Sequence, residues 1–374
     1  MTGVDSMATY QPRLRPGVLI SGPLLHGPRT VHLVKNPDSG DSFEVGPREG
    51  FLMGRMDGSR TLAEIGAEYA GAYRKRLGDG HWRQLLGLLG TRGLLDGAPA
   101  APAPAEGAAA RRAAGGGGPR LLSGSYSLVS DPDATAARLY RVFGFLLRPV
   151  WMVPLLLLVA GMETVMLLRA DELLAATGAM FTHPVLLMGA ATLLWLSTAL
   201  HELAHGVAAR HYGGTVGEIG LRWRMPVIMM YCTVENYPYL STRWARIVTA
   251  LAGAVMNLLF LLPFFALWQW APVDAATADA LGGLLVLGTV QALAMLLPLP
   301  PLDGYKIVSQ AAGATGLAGA TRTFWTLAAR RDPALSAYPR RARVLYTAYG
   351  LGAALTVCAL LTALVLLART ALTA

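Results

Sequence analysis

The chain has 374 residues, 53% hydrophobic and 15% charged, where a typical soluble domain carries about 25% charged residues. Two cysteines in apolar surroundings, Cys232 and Cys358, leave no disulfide framework or cysteine metal cluster to build. The net charge of +9 raises nucleic acid as a partner, but the placement of the basic residues accounts for it otherwise. The first apolar stretch is short and broken by Pro, Arg and Gly, so no secretory signal peptide is expected. Residues 1–96 read as a small soluble domain. Val18–Ile20, Val31–Lys35 and Ser42–Val45 are short β-type runs, with a turn at Asn36-Pro-Asp-Ser-Gly40 between the last two. Helical patterns follow at Pro47–Met56, Leu62–Arg74 and Trp82–Thr91, the second opened by Thr61 with Glu64 three residues on, a capping-box spacing. Residues 97–120 are rich in Ala, Pro and Gly, a composition unable to bury a core, and are expected to be a flexible linker.

Residues 121–374 read as a membrane-embedded domain. Five apolar runs approach or reach the roughly 20 residues that span a bilayer: Val150–Leu168, Pro184–Ala208, Ile247–Trp270, Leu281–Pro298 and Val344–Leu367. A soluble fold with five such runs buried would have too little polar surface to cover them. The expected fold class is therefore a polytopic α-helical membrane protein of about five spans, with a small N-terminal α+β domain. Thirty of the 32 Lys and Arg fall on one side if the spans alternate, the exceptions being Arg169 and Arg369. Basic loops stay cytoplasmic, so the N-terminus is expected inside a cell (inner or plasma) membrane. The basic pI follows from that bias, and no nucleic-acid partner is expected.

His201-Glu-Leu-Ala-His205 is an H-E-x-x-H pattern. On a helix, residues four apart lie about 40° apart in angle and about 6 Å apart along the axis, so both imidazoles reach one ion. The intervening Glu202 sits beside that face, where it can accept a proton from a water on the metal. The pattern lies at the inner end of a membrane run, where ionisable groups are costly and point to function. A catalytic zinc takes three protein ligands and keeps one position open. The candidate for the third is Asp303 in Leu297-Pro-Leu-Pro-Pro-Leu-Asp-Gly304, which alternation places on the same membrane side as His201. The prolines break the helix there, and Gly304 allows a tight turn. One Zn2+ per chain is the expected cofactor.

These residues resemble the site-2 protease family of intramembrane metalloproteases. That family carries H-E-x-x-H on one core helix, G-x-x-x-N on the next and N-x-x-P-x-x-x-x-D-G on a third. Here they read His201–His205, Gly253-Ala-Val-Met-Asn257 and Met295-Leu-Leu-Pro298 through Asp303-Gly304, over roughly residues 184–313. The resemblance implies Asp303 as third ligand and Glu202 as general base. It departs at Met295, where the family has Asn. If that Asn holds the substrate or the oxyanion, Asn257 is a candidate substitute and Gln291 a weaker one. Gly253, Asn257 and Gly304 are the candidates for substrate or oxyanion support. The stretch from Thr215 to Tyr239 alternates as a β-hairpin, an element that in the family helps present substrate as an extended strand. His211 is expected at the membrane interface, off the metal. Glu163, inside the first run, either lines a cavity or snorkels outward.

Three strands followed by three helices in residues 1–96 suit a winged-helix module, yet its 12 Lys/Arg against 10 Asp/Glu are thin for phosphate binding. The stretches Val31–Gly40 and Met56–Ile65 resemble the peptide-recognition domains (RRE type) of pathways that make ribosomally produced, modified peptides. Such domains bind a leader peptide as an added strand, here expected at an edge near Val31–Lys35. The resemblances together imply a membrane metalloendopeptidase that removes a leader from such a peptide. Its partners would be a peptide or membrane-protein substrate, a leader peptide and membrane lipid. The alternatives are regulated intramembrane proteolysis of a membrane-bound regulator, and a non-proteolytic protein of peptide export or immunity. Glu202 argues against the last, since a structural metal site needs no base.

Overall fold

A computed structural model describes residues 9–36, 38–97, 122–225 and 227–373. The expected linker, apart from Gly97, lies outside the described residues. In chain order the elements are β1 (Leu19–Ile20), β2 (Leu24–His26), β3 (Arg29–Lys35), β4 (Ser42–Val45), α1 (Pro47–Met53), α2 (Leu62–Tyr73), α3 (Asp79–Thr91), β5 (Ser123–Ser127), α4 (Pro132–Phe143), α5 (Pro149–Leu168), α6 (Ala170–Met180), α7 (Pro184–His211), β6 (Val216–Arg224), β7 (Val227–Val234), α8 (Arg243–Trp270), α9 (Ala275–Met295), α10 (Asp303–Ala312), α11 (Leu317–Ala329) and α12 (Arg340–Thr373). They divide into two compact units: residues 9–97 with Gly313–Tyr346, and residues 122–312 with 347–373.

The first unit is built around β3. Along one side β3 pairs with β2 at Arg29–Val31 and with β1 at Val34–Lys35; along the other it pairs with β4 through His32–Lys35. Its Val34 joins Leu52, Met53, Leu62, Ile65, Tyr69, Trp82 and Leu89 of the three helices in one core. The Thr61–Glu64 capping box is complete: the Thr61 hydroxyl accepts from the Glu64 amide, and the Glu64 carboxylate accepts from the Thr61 amide. Two features differ from the sequence expectation. The hairpin partner β2 lies in the short Leu24-Leu-His26 run, joined to β3 across Gly27, whose φ is +56°. The stretch Val31–Lys35 is interior to the sheet and offers no open edge. Among the described strands β1 and β4 each pair with β3 alone, and β4 is the longer of the two.

The segment Gly313–Tyr346 also belongs to this unit, although it lies in sequence between two membrane runs. The Leu25 amide donates to Gly313 O at 2.8 Å, and the Thr315 amide donates to Leu25 O at 3.0 Å, which closes the outer side of β2. Tyr346 donates its hydroxyl to Gly27 O at 3.0 Å. Phe324, Tyr338 and Tyr346 form an aromatic cluster with ring centroids 5.4–6.1 Å apart.

In the second unit five helices are long and apolar enough to cross a membrane: α5, α7, α8, α9 and α12 through Leu366. The protein is thus mostly helical, with five candidate spans and a small strand-containing N-terminal unit. The expected hairpin forms from β6 and β7, and β5 adds to β6 as a third antiparallel strand. Asp133 on α4 binds the outer end of this assembly. Its carboxylate accepts both bonds from Arg210 Nη1 at 3.0 Å and a bond from the Val216 amide at 3.0 Å, joining α4, the end of α7 and the start of β6. Glu163 on α5 faces the bundle interior rather than lipid, accepting from Thr289 Oγ1 of α9 at 2.9 Å. His211 pairs with Tyr140 Oη at 3.0 Å, away from the other histidines.

Candidate metal centre

Helices α7 and α8 run antiparallel and place their residues opposite one another at four-residue steps. Ser197 faces Asn257, His201 faces Gly253, and His205 faces Thr249. Four residues are just over one helical turn, so each triplet forms a stripe along its own helix. A Cβ at Gly253 would lie 2.5 Å from the His201 ring, so a glycine there lets the α8 backbone stack against the imidazole. The Nδ1 of His205 lies 2.7 Å from Thr249 O, and the Nδ1 of His201 lies 3.2 Å from the Asn257 amide. Both rings therefore turn Nε2 the same way, with the two Nε2 atoms 3.2 Å apart and the rings nearly perpendicular at 88°.

Asp303 comes to these atoms from α10. The chain leaves α9 at Met295 and turns through Leu296–Leu302. Gly304 packs so closely under this turn that a Cβ would fall 1.9 Å from Leu296 O. Asp303 thereby stands in the first turn of α10, where the helix N-terminus favours a carboxylate. Its Oδ2 lies 2.9 Å from His201 Nε2 and 3.1 Å from His205 Nε2, while its Oδ1 accepts from Lys306 Nζ at 2.8 Å. All three side chains are buried. Burial alone would raise the Asp303 pKa, but the bonds to His201 and His205, with the Lys306 charge, hold it well below the usual carboxylate range.

The donor set fits a metal ion. The three donor atoms lie within 4.8 Å of one another, and the pairwise distances are 2.9, 3.1 and 3.2 Å. A tetrahedral zinc with bonds of about 2.0 Å sets its ligand atoms about 3.3 Å apart. Two imidazoles and a carboxylate are also the type of three-ligand set that leaves a fourth position for water.

Glu202 stays out of this triangle. Its Oε2 accepts from the backbone amide of Cys232 on β7 at 3.1 Å. The Cys232 thiol is pushed up to about 12 by burial and by the Glu202 carboxylate. This favours the neutral thiol over the thiolate near pH 7. A cavity of about 300 Å³ opens beside the donors, lined by His205, Cys232, Thr233, Tyr237, Thr249 and Lys306 among others. Burial also pushes the Tyr237 hydroxyl pKa up; this hydroxyl donates to Arg246 O at 3.0 Å.

The structure thus brings His201, His205 and Asp303 together, sets Glu202 beside them, and puts Gly253 and Gly304 at two close backbone approaches. The amide of Gln291 donates to Thr198 Oγ1 at 2.8 Å, one helix face away from the donors. Sequence reasoning did not single out Ser197, Thr249 or Lys306. The signals were present: Ser197 precedes His201 by the same four residues that separate the two histidines, and Lys306 follows Asp303 by three.

A family model described as peptidase family M50 matches residues 189–281. The match contains His201, Glu202, His205, Gly253 and Asn257, and it ends before Asp303. It suggests membrane metalloprotease activity. No curated protein matches the chain, and no solved structure does.

Proposed function

We propose that this chain is a zinc-dependent membrane endopeptidase of the site-2 protease type, with His201, His205 and Asp303 as ligands and Glu202 as general base. The observation that carries this reading is the position of Glu202. It adjoins the first ligand in sequence, yet its carboxylate is held by the Cys232 amide and not spent on the ligand triangle. A purely structural metal site would have no use for a carboxylate held in that way.

A Zn2+ ion held by the three ligands would supply Lewis acidity and lower the pKa of a water beside it. Glu202 then takes a proton from the attacking water at a carboxylate oxygen and returns it to the leaving amine nitrogen. His205 is kept in one tautomer by its Nδ1–H bond to Thr249 O. Lys306 holds Asp303 Oδ1, so Oδ2 faces the histidines. The edge of β7 that carries the Cys232 amide lies beside the base. An extended substrate segment laid along that edge would expose its peptide bonds to Glu202, which a helical segment would not. Replacing Glu202 by Gln tests the assignment. Cleavage should fall by about 10²–10⁴-fold, the usual worth of a positioned base, with zinc content unchanged. Cleavage near the parental rate would end it.

The physiological role that fits best is leader removal from a ribosomally made, modified peptide. It is favoured by four strands followed by three helices in the N-terminal unit, with β4 bonded on one side only. The split of Lys and Arg supports a cytoplasmic N-terminus.

A further inference from the structure

Asn257 entered as a candidate for holding the substrate oxyanion. Its surroundings give it a different task. The side chain is buried, as are Ser197 and His201, and both ends of its amide are engaged. One end lies 3.2 Å from His201 Nδ1, and the other lies 3.0 Å from Ser197 Oγ. Asn257 does not line the cavity beside His205, where a substrate carbonyl would sit.

We propose that Asn257, itself oriented by Ser197, is the positioning residue that holds His201 in the tautomer whose Nε2 faces the metal. This rests on the metal-centre reading above. A neutral imidazole that gives Nε2 to a cation keeps its proton on Nδ1, and that proton needs an acceptor. The only acceptor on the Asn257 side chain is Oδ1. The two ends of a carboxamide exchange by a half-turn, which leaves the contact distances nearly unchanged. With Oδ1 toward the ring, His201 Nδ1–H donates to Asn257, and Asn257 Nδ2 donates to Ser197 Oγ. The His201 Nδ1–H and both ends of the Asn257 amide then have partners of the right kind, as a low-dielectric site requires. The same logic is already visible one step along the stripe, where His205 Nδ1 donates to Thr249 O. The two ligands therefore receive equivalent support from α8: one from a backbone carbonyl, the other from a side chain that only a polar residue at 257 supplies. The four-residue spacing of Gly253 and Asn257 mirrors that of His201 and Ser197 because the two stripes face each other.

The experiment is zinc affinity, measured by chelator competition on the purified full-length protein in detergent, alongside peptide cleavage at saturating zinc. Asn257→Leu removes the acceptor and should weaken zinc binding by about 10–100-fold, the usual effect of losing such a partner. Asn257→Asp keeps an acceptor oxygen toward Nδ1 and should retain affinity within a few-fold of the parent. A residue needed only for packing would not discriminate in this direction, since Leu suits an apolar site better than Asp. Ser197→Ala is the milder change and decides the matter if Asn257→Leu does not fold; it should weaken zinc several-fold. Parental zinc affinity in Asn257→Leu with turnover lost would return Asn257 to the substrate. Parental affinity in a folded Ser197→Ala protein would break the chain at its first step. Failure of the parent to bind zinc would instead sink the metal-centre reading, and zinc binding without peptidase activity would sink only the enzymatic one.

Discussion

The Cys232 amide donates to Glu202 Oε2 at 3.1 Å, so one hydrogen bond joins the edge of β7 to the proposed base beside the proposed metal ligands. In the β6–β7 ladder Cys232 stands opposite Ile219, and its N–H is turned away from that partner. The hairpin therefore fixes the carboxylate without giving up a bond of its own sheet.

Cys232→Pro removes this donor and leaves the thiol's neighbours on α7 in place. Proline is tolerated where the strand N–H faces away from the ladder. A hydrogen bond to a charged group contributes about 1.5–3 kcal/mol, so turnover should fall by about 10–100-fold while zinc content holds. Cys232→Ala, which keeps the amide, should retain most of the turnover. Equal turnover in the Pro variant and the parent would show that the bond does not position Glu202.

Asp303→Ala should lower bound zinc together with cleavage. Full zinc occupancy in the folded variant would move the third ligand elsewhere. Lys306→Met leaves the ligand but frees Asp303 Oδ1, so its zinc affinity should fall between those of the parent and Asp303→Ala. An affinity no different from the parent's would mean that the Lys306 contact is incidental.

Gly253→Ala puts a methyl group 2.5 Å from the His201 ring. Either α8 backs away or the ring turns; overpacking of this kind costs about 1–3 kcal/mol. Thermal stability should drop in both the metal-free and zinc-loaded protein, with zinc bound more weakly as well. A Gly253→Ala protein with the parental melting temperature and zinc affinity would show the two helices to be looser here than the contact implies.

Much of the site was legible because its chemistry is local. Two histidines and Glu202 fall within a single helical turn and a half, and Asp303-Gly304 announces itself as an acidic turn after a proline-broken run. The rest depends on register between segments far apart in the chain. That Ser197 meets Asn257 follows from how α7 and α8 lie against each other, which neither helix states alone. β5 is a Gly- and Ser-bearing strand with no apolar alternation, so only its partner β6 makes it a strand. Gly313–Tyr346 sits between membrane runs, and its place in the N-terminal unit rests on the bonds of Leu25 and Tyr346.

The orientation prediction concerns the turn at 271–274 between α8 and α9, whose flanks carry no Lys or Arg. On the charge bias this turn is expected outside the cell. A single cysteine introduced at Ala271 in a chain lacking Cys232 and Cys358 should be labelled by an impermeant thiol reagent added to intact cells. Labelling only after the membrane is permeabilised would reverse the topology.

The last prediction tests the N-terminal unit as the part that captures substrate. Leu33 turns its backbone toward Ser21: the Ser21 amide donates to Leu33 O at 2.8 Å, and the Leu33 amide donates to Ser21 Oγ at 2.8 Å. Leu33 stands opposite Glu44, so this is a non-bonded pair of the ladder, and Glu44 turns its backbone N–H and C=O away from β3. An extended leader can add there as a further strand, drawing affinity from main-chain bonds and selectivity from alternate side chains. Glu44→Pro removes the outward donor and spares the β3–β4 ladder, whereas Glu44→Gln alters only the side chain that meets His26. Capture of a leader raises the effective concentration of the attached cleavage site at the metal centre. The Pro variant should therefore cleave the full precursor several-fold more slowly than the parent, yet cleave a short peptide spanning the scissile bond at the parental rate. The Gln variant should resemble the parent on both. An unchanged ratio of the two rates in Glu44→Pro would remove β4 as the docking strand, and the leader-peptide role would lose its main support.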